Sequence, residues 1–483
     1  MPKLVILWTD WIVFALVAGI AWYGWHVRRT PTLAANWRRV WRNAPALCSA
    51  VVLAACLLVA LLDSLHYRPL LAKAGEAGGA AAYDTRTLSV LDALLVRLVE
   101  TRESSYSVPL GWQGFTKESV TVGGQTRRDH PRLEFGGRHL KDPARDWGPD
   151  VLGRVAAGLV IGLGIAVIAF AGLASTLGKG PTPAVRLADG ARRILRHETD
   201  LPWRPALVTF TLLAMLVAAV ALLAAAYHVL GTDRTGNDVL YQSLKSIRTA
   251  FVIGTLSTIA TLPLAVGLGI AAGYFRGWVD EVIQYLYTLL SSVPNVLLIA
   301  ACVLMVQVFL DQHPELFETG AERSDLRLFI LCLILGLTGW AGLCRLLRAE
   351  TMKLRELEYV QAAHAFGIGH WRIMARHIFP NVVHLMLIST VLDFCGLILY
   401  EAVLSYVGVG VDPSMNSFGG MINLARSEMS RDPLVWWSFA SAFVFMVALV
   451  LAANLFADGV QEAFDPRGRV LRPRLSLRRR SAA

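Results

Sequence analysis

Nine long apolar segments constrain this chain more than any other feature of its sequence. A helix needs about 20 mostly apolar residues to cross the roughly 30 Å hydrocarbon core of a bilayer. Nine segments reach or approach that length, near 4–25, 44–62, 151–175, 205–229, 250–272, 286–310, 328–344, 383–407 and 435–457. The chain is 55% hydrophobic and only 17% charged, which is too apolar for a soluble domain. The sequence therefore predicts an all-α membrane protein with nine spanning helices.

The distribution of charge predicts which loops face the cytoplasm. Basic residues exceed acidic residues in four segments: 26–43, 176–204, 345–380 and 466–483. By contrast, 63–150 is balanced and 311–327 is acidic. Because cytoplasmic loops carry the excess of Lys and Arg, the N-terminus is predicted to lie outside the cell and the C-terminus inside. The basic residues lie at the ends of apolar segments, so the net charge of +10 does not favour a nucleic-acid partner.

The first apolar segment is predicted to be a retained anchor and not a cleaved signal peptide. Only Lys3 precedes it, Asp10 lies within it, and Arg28 and Arg29 follow where cleavage would require small residues. The six cysteines fall in or at the edges of apolar segments, and none lies in 63–150. This usage predicts neither a disulfide framework nor a CxxC metal site.

The chain is predicted to have three zones. Residues 1–204 form an N-terminal extension with three spans, an exported segment near 63–150 and a cytoplasmic linker at 176–204. Residues 205–466 form a compact core of six spans with short connections. Residues 467–483 are an Arg-rich cytoplasmic tail suited to water or lipid headgroups. No duplicated half of the kind found in inverted-repeat carriers is visible, so transport would need an external source of energy.

The exported segment carries weak structural signals. Apolar residues within 88–99 recur at helical spacing, and 119–122 alternate as in a short strand. Glycine-rich stretches flank these elements, including 75–79. A small, partly ordered domain and a flexible loop both remain possible interpretations.

A polar segment, 345–381, lies between the fourth and fifth apolar segments of the core. Residues 361–363 place two small side chains beside a polar one, which lets another protein approach the backbone closely. Gly367 can adopt a positive φ and end a helix, and 370–377 suggest a second short helix. Pro380 suits the first turn of the next span. An ordinary amphipathic cytoplasmic loop would show the same spacing.

The 345–381 segment resembles the EAA loop of ABC-importer permeases. In that pattern a Gly follows the second Ala by four residues, and a Pro follows the Gly by thirteen. Four positions match: Ala362, Ala363, Gly367 and Pro380. Gln361 stands where Glu is usual, and His377 where Ile is usual. Glutamine keeps a neutral hydrogen bond, about 0.5–1.5 kcal/mol, but loses a charge-assisted one of about 1.5–3 kcal/mol.

Further stretches resemble the C-type permease of oligopeptide and dipeptide importers. They are 228–240, which contains Leu-Gly-Thr-Asp, 272–280, 404–419 and 458–467. Phe418 stands where that family usually has Trp. The likeness runs through about 205–467 in order, and 37–62 also resembles that subunit's first span. The resemblance implies a type I importer fold with an N-terminal extension.

The resemblance also implies partners and a mechanism. A permease of this kind forms a translocation path with a second permease in the bacterial inner membrane, receives peptide from a periplasmic binding protein, and is driven by two ATPase subunits. The implied ATPase-coupling residues are Glu358, Gln361, Ala362, Ala363, Gly367, Arg372, Arg376 and Pro380. The chain lacks GxxxxGK[ST], so ATP hydrolysis is expected in the separate subunits and this chain is not expected to be an enzyme.

Two acidic residues lie inside the apolar segment 383–407. Ionisable groups at such positions are costly and usually functional. Asp393 and Glu401 would then form a polar wall of the translocation path, where Asp393 could meet a substrate amine. The alternative is that they make hydrogen bonds to a neighbouring span.

Other functions are less favoured by the sequence. Relatives of this pattern also carry nickel chelates or peptide antibiotics, so the cargo stays open. A self-sufficient channel or carrier, and an intramembrane enzyme using Asp393 and Glu401, lack a matching motif. Four histidines lie close in sequence, at 364, 370, 377 and 384, but their spacings do not bring them onto one helix face. No metal or cofactor is predicted.

Overall fold

The computed structural model describes residues 3–70, 83–84, 86–122, 125–317 and 319–464. Within these ranges, nine helices are long and apolar enough to cross a membrane: Trp8–Arg29, Ala44–Asp63, Pro143–Leu177, Trp203–Ala224, Val239–Phe275, Asn295–Gln312, Gly320–Arg355, His370–Val407 and Trp437–Phe464. The predicted all-α membrane fold is therefore confirmed. The Arg-rich tail and the glycine-rich stretch 75–79 lie outside the described residues.

The N-terminal extension contains three spanning helices and short strands. Its elements are β1 Lys3–Val5, α1 Trp8–Arg29, α2 Pro31–Arg42, α3 Ala44–Asp63, β2 His66–Arg68, β3 Leu88–Ser89, α4 Val90–Leu94, α5 Val96–Glu100, β4 Glu118–Val122, β5 Gln125–Asp129, α6 Pro143–Leu177 and α7 Pro183–Leu195. β1, β2 and β3 form one antiparallel sheet, and β4 pairs with β5 in a hairpin. The strand predicted at 119–122 is confirmed. The apolar run 88–99 begins in β3 and continues as two short helices, because the backbone leaves helical geometry at Leu95.

The core consists of long helices with short connections. Its elements are α8 Trp203–Ala224, α9 Val239–Phe275, α10 Gly277–Ser292, α11 Asn295–Gln312, α12 Gly320–Gly339, α13 Ala341–Arg355, α14 Glu358–Ala365, α15 His370–Ile373, a π-helical turn Met374–Ile378, α16 Phe379–Val407, α17 Phe418–Glu428 and α18 Trp437–Phe464. The Asp238 carboxylate caps α9 by accepting from the N–H groups of Leu240 and Tyr241. α9 is the most buried helix and packs against α3, α12, α13 and α16.

Glycines on α9 allow its closest helix contacts. A Cβ added at Gly273 would lie 2.6 Å from Thr351 Cβ on α13, and one at Gly269 would lie 2.9 Å from the Cys344 carbonyl oxygen. Small residues let helices approach closely in a membrane, where packing and not the hydrophobic effect drives association. The α9–α13 pair is thus a tightly joined unit that leads to the polar segment 345–381.

The predicted start of one span is wrong, because the spanning helix there is α11, which begins at Asn295. The apolar segment 286–310 forms two helices, because α10 ends at Ser292 and α11 begins at Asn295. Pro294 supplies no N–H and restricts the residue before it to extended geometry. Val293 accordingly has φ −90° and ψ 135°. The mean hydropathy of the segment hides this interruption.

The segment between α3 and α6 is packed against the core through buried polar contacts. Glu103 accepts hydrogen bonds from the backbone N–H groups of Glu134, Phe135 and Gly136. On the core side, His228 Nδ1 lies 2.8 Å from Asp238 Oδ2, and its Nε2 lies 3.4 Å from Glu103 Oε1. Of the two interpretations left open by the sequence, these contacts favour a partly ordered domain, as far as the described residues of the segment are concerned.

Docking of this segment is expected to weaken at alkaline pH. Burial disfavours a charged imidazole, but the Asp238 and Glu103 carboxylates outweigh it and raise the pKa of His228 to about 9. A raised pKa means that the stabilisation is complete below about pH 6.5 and is lost as the pH rises through 9. The shift corresponds to about 3 kcal/mol. Thermal unfolding of the purified protein between pH 6 and pH 9.5 should show this decline.

A His228→Gln variant provides the control for that measurement. It removes the titrating group, so its unfolding temperature should already be low at pH 6.5 and should fall less than that of the wild type up to pH 9.5. Parallel curves for the two proteins would show that another group governs the alkaline transition.

Candidate functional site

The polar segment 356–380, hereafter the coupling segment, begins with a short helix that ends at a glycine. α14 is followed by Gly367 with φ +75°. The Gly367 N–H donates to the His364 carbonyl oxygen at 3.0 Å, and the Ile368 N–H donates to the Ala363 carbonyl oxygen at 3.2 Å. This is the bonding of a glycine-terminated helix turn. The predicted helix end with positive φ at Gly367 is confirmed.

The second half of the coupling segment runs directly into a spanning helix. α15 continues through the π-helical turn Met374–Ile378 into α16, and Pro380 lies in the first turn of α16. The Asn381 side-chain amide donates to the His377 carbonyl oxygen at 2.6 Å. The predicted short helix at 370–377 is therefore not separate from the span. A displacement of the segment would be transmitted to α16 without an intervening loop.

The inner face of the coupling segment is apolar. Val360, Ala363, Ile373 and Ile378 are buried in one cluster with residues of α9, α10 and α13. The expectation that both alanines of the motif are presented to a partner is wrong for Ala363, which is only 6% exposed. Since α14 has a helical period, neighbouring positions face different sides, and only Ala362 lies on the outer surface.

Polar contacts fix the coupling segment to the turn between α9 and α10. The Arg355 guanidinium donates to the Tyr274 carbonyl oxygen at 2.6 Å, and the Tyr274 hydroxyl lies 2.8 Å from His370 Nδ1. Nearby, Arg348 donates to both oxygens of Asp280 at 2.5 and 2.7 Å, and this bidentate bond lowers the pKa of the Asp280 carboxyl. The segment is therefore tied to two spans, α9 and α16, besides α13, from which it emerges.

The outer face carries most of the residues that the sequence predicted. Six of them are exposed: Glu358, Gln361, Ala362, Gly367, Arg372 and Arg376. Pro380 is exposed as well. The Gln361 side-chain amide donates to the Glu356 carbonyl oxygen at 3.2 Å, so it stabilises the local turn. The structure thus brings these side chains together on the exposed outer face of the coupling segment.

Sequence reasoning missed the two largest exposed side chains of the coupling segment. Phe366 is 85% exposed and Trp371 is 78% exposed, on either side of Gly367. Bulky aromatic residues exposed next to polar ones mark protein interaction sites, and aromatics dominate the energetics of such contacts. The available signal was two aromatic residues within five positions of the glycine in an otherwise polar segment.

The two acidic residues predicted in the path have different surroundings. Glu401 is buried and accepts a hydrogen bond from Ser405 Oγ at 2.6 Å. A Cβ added to Gly419 on α17 would lie 2.8 Å from Glu401 Oε1, so this carboxylate lies within the α16–α17 packing. This burial favours the alternative of hydrogen bonding within the helix packing, and a role of Glu401 in the translocation path stays a prediction. Asp393 is half-buried, and no described residue forms an ion pair or hydrogen bond with it.

The histidines of the coupling segment do not converge. The rings of His364 and His370 lie 5.6 Å apart, but His370 Nδ1 is engaged by Tyr274. Among the residues that the structure describes, no three His, Cys, Asp or Glu side chains are grouped to hold a metal ion.

Similarity to known proteins is concentrated in the core. The profile of the binding-protein-dependent transport system inner membrane component matches residues 265–470. Over 245 residues the chain is 31% identical to the oligopeptide transport system permease protein OppC of Mycobacterium tuberculosis (strain ATCC 25618 / H37Rv), covering 51% of this chain and 78% of that protein. Over 240 residues it is 31% identical to the glutathione transport system permease protein GsiD of Pectobacterium atrosepticum. This match covers 50% of this chain and 73% of that protein. Over 243 residues it is 28% identical to OppC of Haemophilus influenzae. This match covers 50% of this chain and 71% of that protein.

These similarities bear out the resemblance stated from the sequence. The matched region begins within α9 and includes the coupling segment and the four spanning helices that follow α9. The spans of the N-terminal extension precede it. The chain belongs to the family of binding-protein-dependent transport system inner membrane components.

Proposed function

We propose that this chain is one permease subunit of a bacterial ABC importer for peptides. It forms the translocation path with a second permease, receives its cargo from a periplasmic binding protein, and is driven by two ATPase subunits that bind the coupling segment. The cargo class rests on the relatives, whose names refer to oligopeptides and glutathione. The chain itself hydrolyses no ATP.

The geometry of the coupling segment carries this proposal. The coupling segment is rigid, has an apolar inner face and is tied to α9 and α16. Its outer face exposes Phe366 and Trp371 beside Ala362. A soluble partner that binds the outer face would move α9 and α16 together. The reason is that the buried inner face and the Tyr274–His370 contact hold the coupling segment firmly against these helices. This arrangement suits transmission of force and not chemistry.

The basic residues around the coupling segment support a cytoplasmic location for it. Arg345, Arg348, Lys353, Arg355, Arg372 and Arg376 all fall between 345 and 380, and cytoplasmic loops carry such an excess. The same reasoning places the N-terminus outside and the C-terminus inside, in a multi-pass protein of the inner membrane.

Site-specific crosslinking tests the docking surface. A cysteine at Ala362 lies on the outer face, whereas one at Ala363 lies in the buried cluster. In the assembled, active complex we expect a short thiol crosslinker to join the Ala362→Cys variant to an ATPase subunit.

The Ala363→Cys variant is the matched control, one residue away and enclosed by the chain's own packing. It should give little or no crosslinked product. Failure of Ala362→Cys to reach an ATPase in an active complex, or equal yields from both variants, would contradict the proposed docking face.

A further inference from the structure

The connection between α6 and α8 contains an amphipathic helix, α7. At about 100° per residue, six apolar residues form an unbroken arc of about 120° on its surface: Ala184, Leu187, Ala188, Ala191, Ile194 and Leu195. The opposite side carries Arg186, Asp189, Arg192 and Arg193. A wide apolar arc facing away from a basic side is typical of helices that lie in the interface between lipid and water.

The position of α7 relative to the bilayer follows from its contacts with α6 and α8. The charge-free part of α6, 155–177, is about 35 Å long, so a hydrocarbon core of about 30 Å ends close to its last turn. α7 packs against that turn so closely that a Cβ added at Gly190 would overlap the Ala174 carbonyl group. Arg204, in the first turn of α8, donates to the Ile194 carbonyl oxygen at 3.1 Å. α7 therefore lies at the edge of the hydrocarbon, beside the ends of two spans.

The chain itself covers only one edge of the apolar arc. Ile194 is buried, whereas Leu187 is 41% exposed and Leu195 is 58% exposed. Ala184 and Ala188 are exposed as well. Because this apolar surface lies at the level where the apolar part of α6 ends, lipid acyl chains can cover it.

The basic side of α7 keeps positive charges that the chain does not neutralise. Arg193 pairs with Asp189 at 3.2 Å. Among the residues that the structure describes, no carboxylate lies within ion-pair distance of Arg186, Arg192 or Arg196. All three side chains are exposed, and arginine stays charged at physiological pH. They therefore present three cations at the edge of the bilayer.

A recess of about 490 Å³ adjoins these cations where α6 ends and α7 begins. It is lined by Ser175, Thr176, Gly178, Pro183 and Arg186. A guanidinium binds a phosphate through two parallel hydrogen bonds. The recess thus offers a phosphate-binding side chain at the level of the lipid headgroups.

A second basic amphipathic helix lies beside α7. α2 carries Arg38, Arg39 and Arg42 and no acidic residue. Arg42 lies 3.9 Å from Asp200, in the connection between α7 and α8, so both helices lie at the same end of the extension. α2 also carries Trp37 and Trp41, and tryptophan is enriched where membranes meet water.

We propose that α7 binds anionic phospholipids of the cytoplasmic leaflet. Leu187 and Leu195 contact the acyl chains, Arg186 binds the headgroup phosphate in the recess, and the neighbouring arginines add electrostatic attraction. The inference goes beyond the proposed function, because it gives a lipid partner to a part of the chain that precedes the family match. It shares with that function only the cytoplasmic location of the basic segments.

Fluorescence quenching by lipid tests the position of α7. The complete importer, with its six native cysteines replaced, would carry a fluorophore on Leu187→Cys in vesicles of phosphatidylcholine and phosphatidylglycerol with brominated acyl chains. We expect strong quenching there. Val185→Cys is the matched control, since Val185 is an exposed apolar residue of the same helix on its basic side, and it should be quenched much less. Equal quenching at both positions would overturn the interfacial arrangement.

A titration with short-chain lipid tests the recognition of the headgroup. In detergent, the labelled Leu187→Cys importer should bind phosphatidylglycerol at least about tenfold more tightly than phosphatidylcholine of the same chain length. Replacing Arg186 and Arg196 by glutamine should weaken binding of phosphatidylglycerol about twenty-five-fold, at about fivefold for each basic residue near an anionic headgroup, and should leave phosphatidylcholine binding unchanged. Arg128→Gln, an exposed arginine on β5, is the control for loss of charge and should change neither.

Three results would overturn the lipid assignment. Equal affinities for the two lipids would show that the headgroup is not recognised. The same response to inorganic phosphate would show a site for free anions. Loss of the ATPase subunits from the Arg186→Gln, Arg196→Gln importer, with unchanged binding of phosphatidylglycerol, would assign the basic side to a protein contact. None of these measurements depends on transport, so failure of the lipid site and failure of the proposed function are distinguishable.

Discussion

Replacing Phe366 and Trp371 together by serine is expected to abolish ATP-driven uptake. Both side chains are almost fully exposed in the subunit, at 85% and 78%, so the substitutions should leave its fold and thermal stability nearly unchanged. Aromatic anchors at the centre of an interface contribute about 2 kcal/mol or more each. Loss of two should weaken ATPase binding by roughly a factor of a thousand. Co-purification of the ATPase subunits and uptake in proteoliposomes would measure both effects.

A matched control lies on the extension. Trp22 is 62% exposed on α1, far in sequence from the coupling segment, and Trp22→Ser should retain ATPase subunits and uptake. If the double variant, Phe366→Ser with Trp371→Ser, also retained its ATPase subunits in full, the exposed aromatic pair would not be the docking surface. This conclusion would hold whatever the transport rate of the variant.

Replacing Arg248 by methionine is expected to cause the largest loss of stability in the chain. Arg248 is only 4% exposed and donates to Asp10 Oδ1 at 2.6 Å and to Thr9 Oγ1 at 2.7 Å, with Asp325 Oδ1 at 3.7 Å. Methionine would leave two buried carboxylates without their shared cation. Breaking a buried ion pair in this way costs about 3–5 kcal/mol. The result should appear as a lower unfolding temperature of the purified protein, followed by tryptophan fluorescence.

Two further variants make this measurement specific. Arg192→Met removes an exposed arginine of α7 and should leave the unfolding temperature unchanged. Asp10→Asn combined with Arg248→Met removes one of the two uncompensated charges and should recover part of the loss. Equal unfolding temperatures for Arg248→Met and Arg192→Met would show that the buried cluster does not stabilise the fold.

The Arg248 cluster also shows how the extension is attached. Asp10 and Thr9 belong to α1 of the extension, whereas Arg248 and Asp325 belong to the core. His66, also in the extension, lies 2.9 Å from the second oxygen of Asp10. The extension therefore supplies a carboxylate that neutralises the buried Arg248 of the core. It thus contributes to the stability of the core and does not only anchor it.

Local features of the sequence predicted much of the coupling segment. Glycine at 367 permits a positive φ, and proline at 380 fits a first helical turn, so the positions of the helix end and of the following span could be derived from residue type alone. The same local reasoning failed at 286–310. There the hydropathy stayed high across Pro294, and averaging over the segment concealed a break that one imino acid imposes.

The sequence by itself determined the nine apolar spans, their membrane class, the family pattern and the turn at Gly367, because each depends on residues close together along the chain. Only the tertiary structure decided that Ala362 faces outward while Ala363 is buried, and that Glu401 is enclosed. Those outcomes depend on side chains brought together from distant helices, and adjacent positions of similar composition can face opposite surroundings.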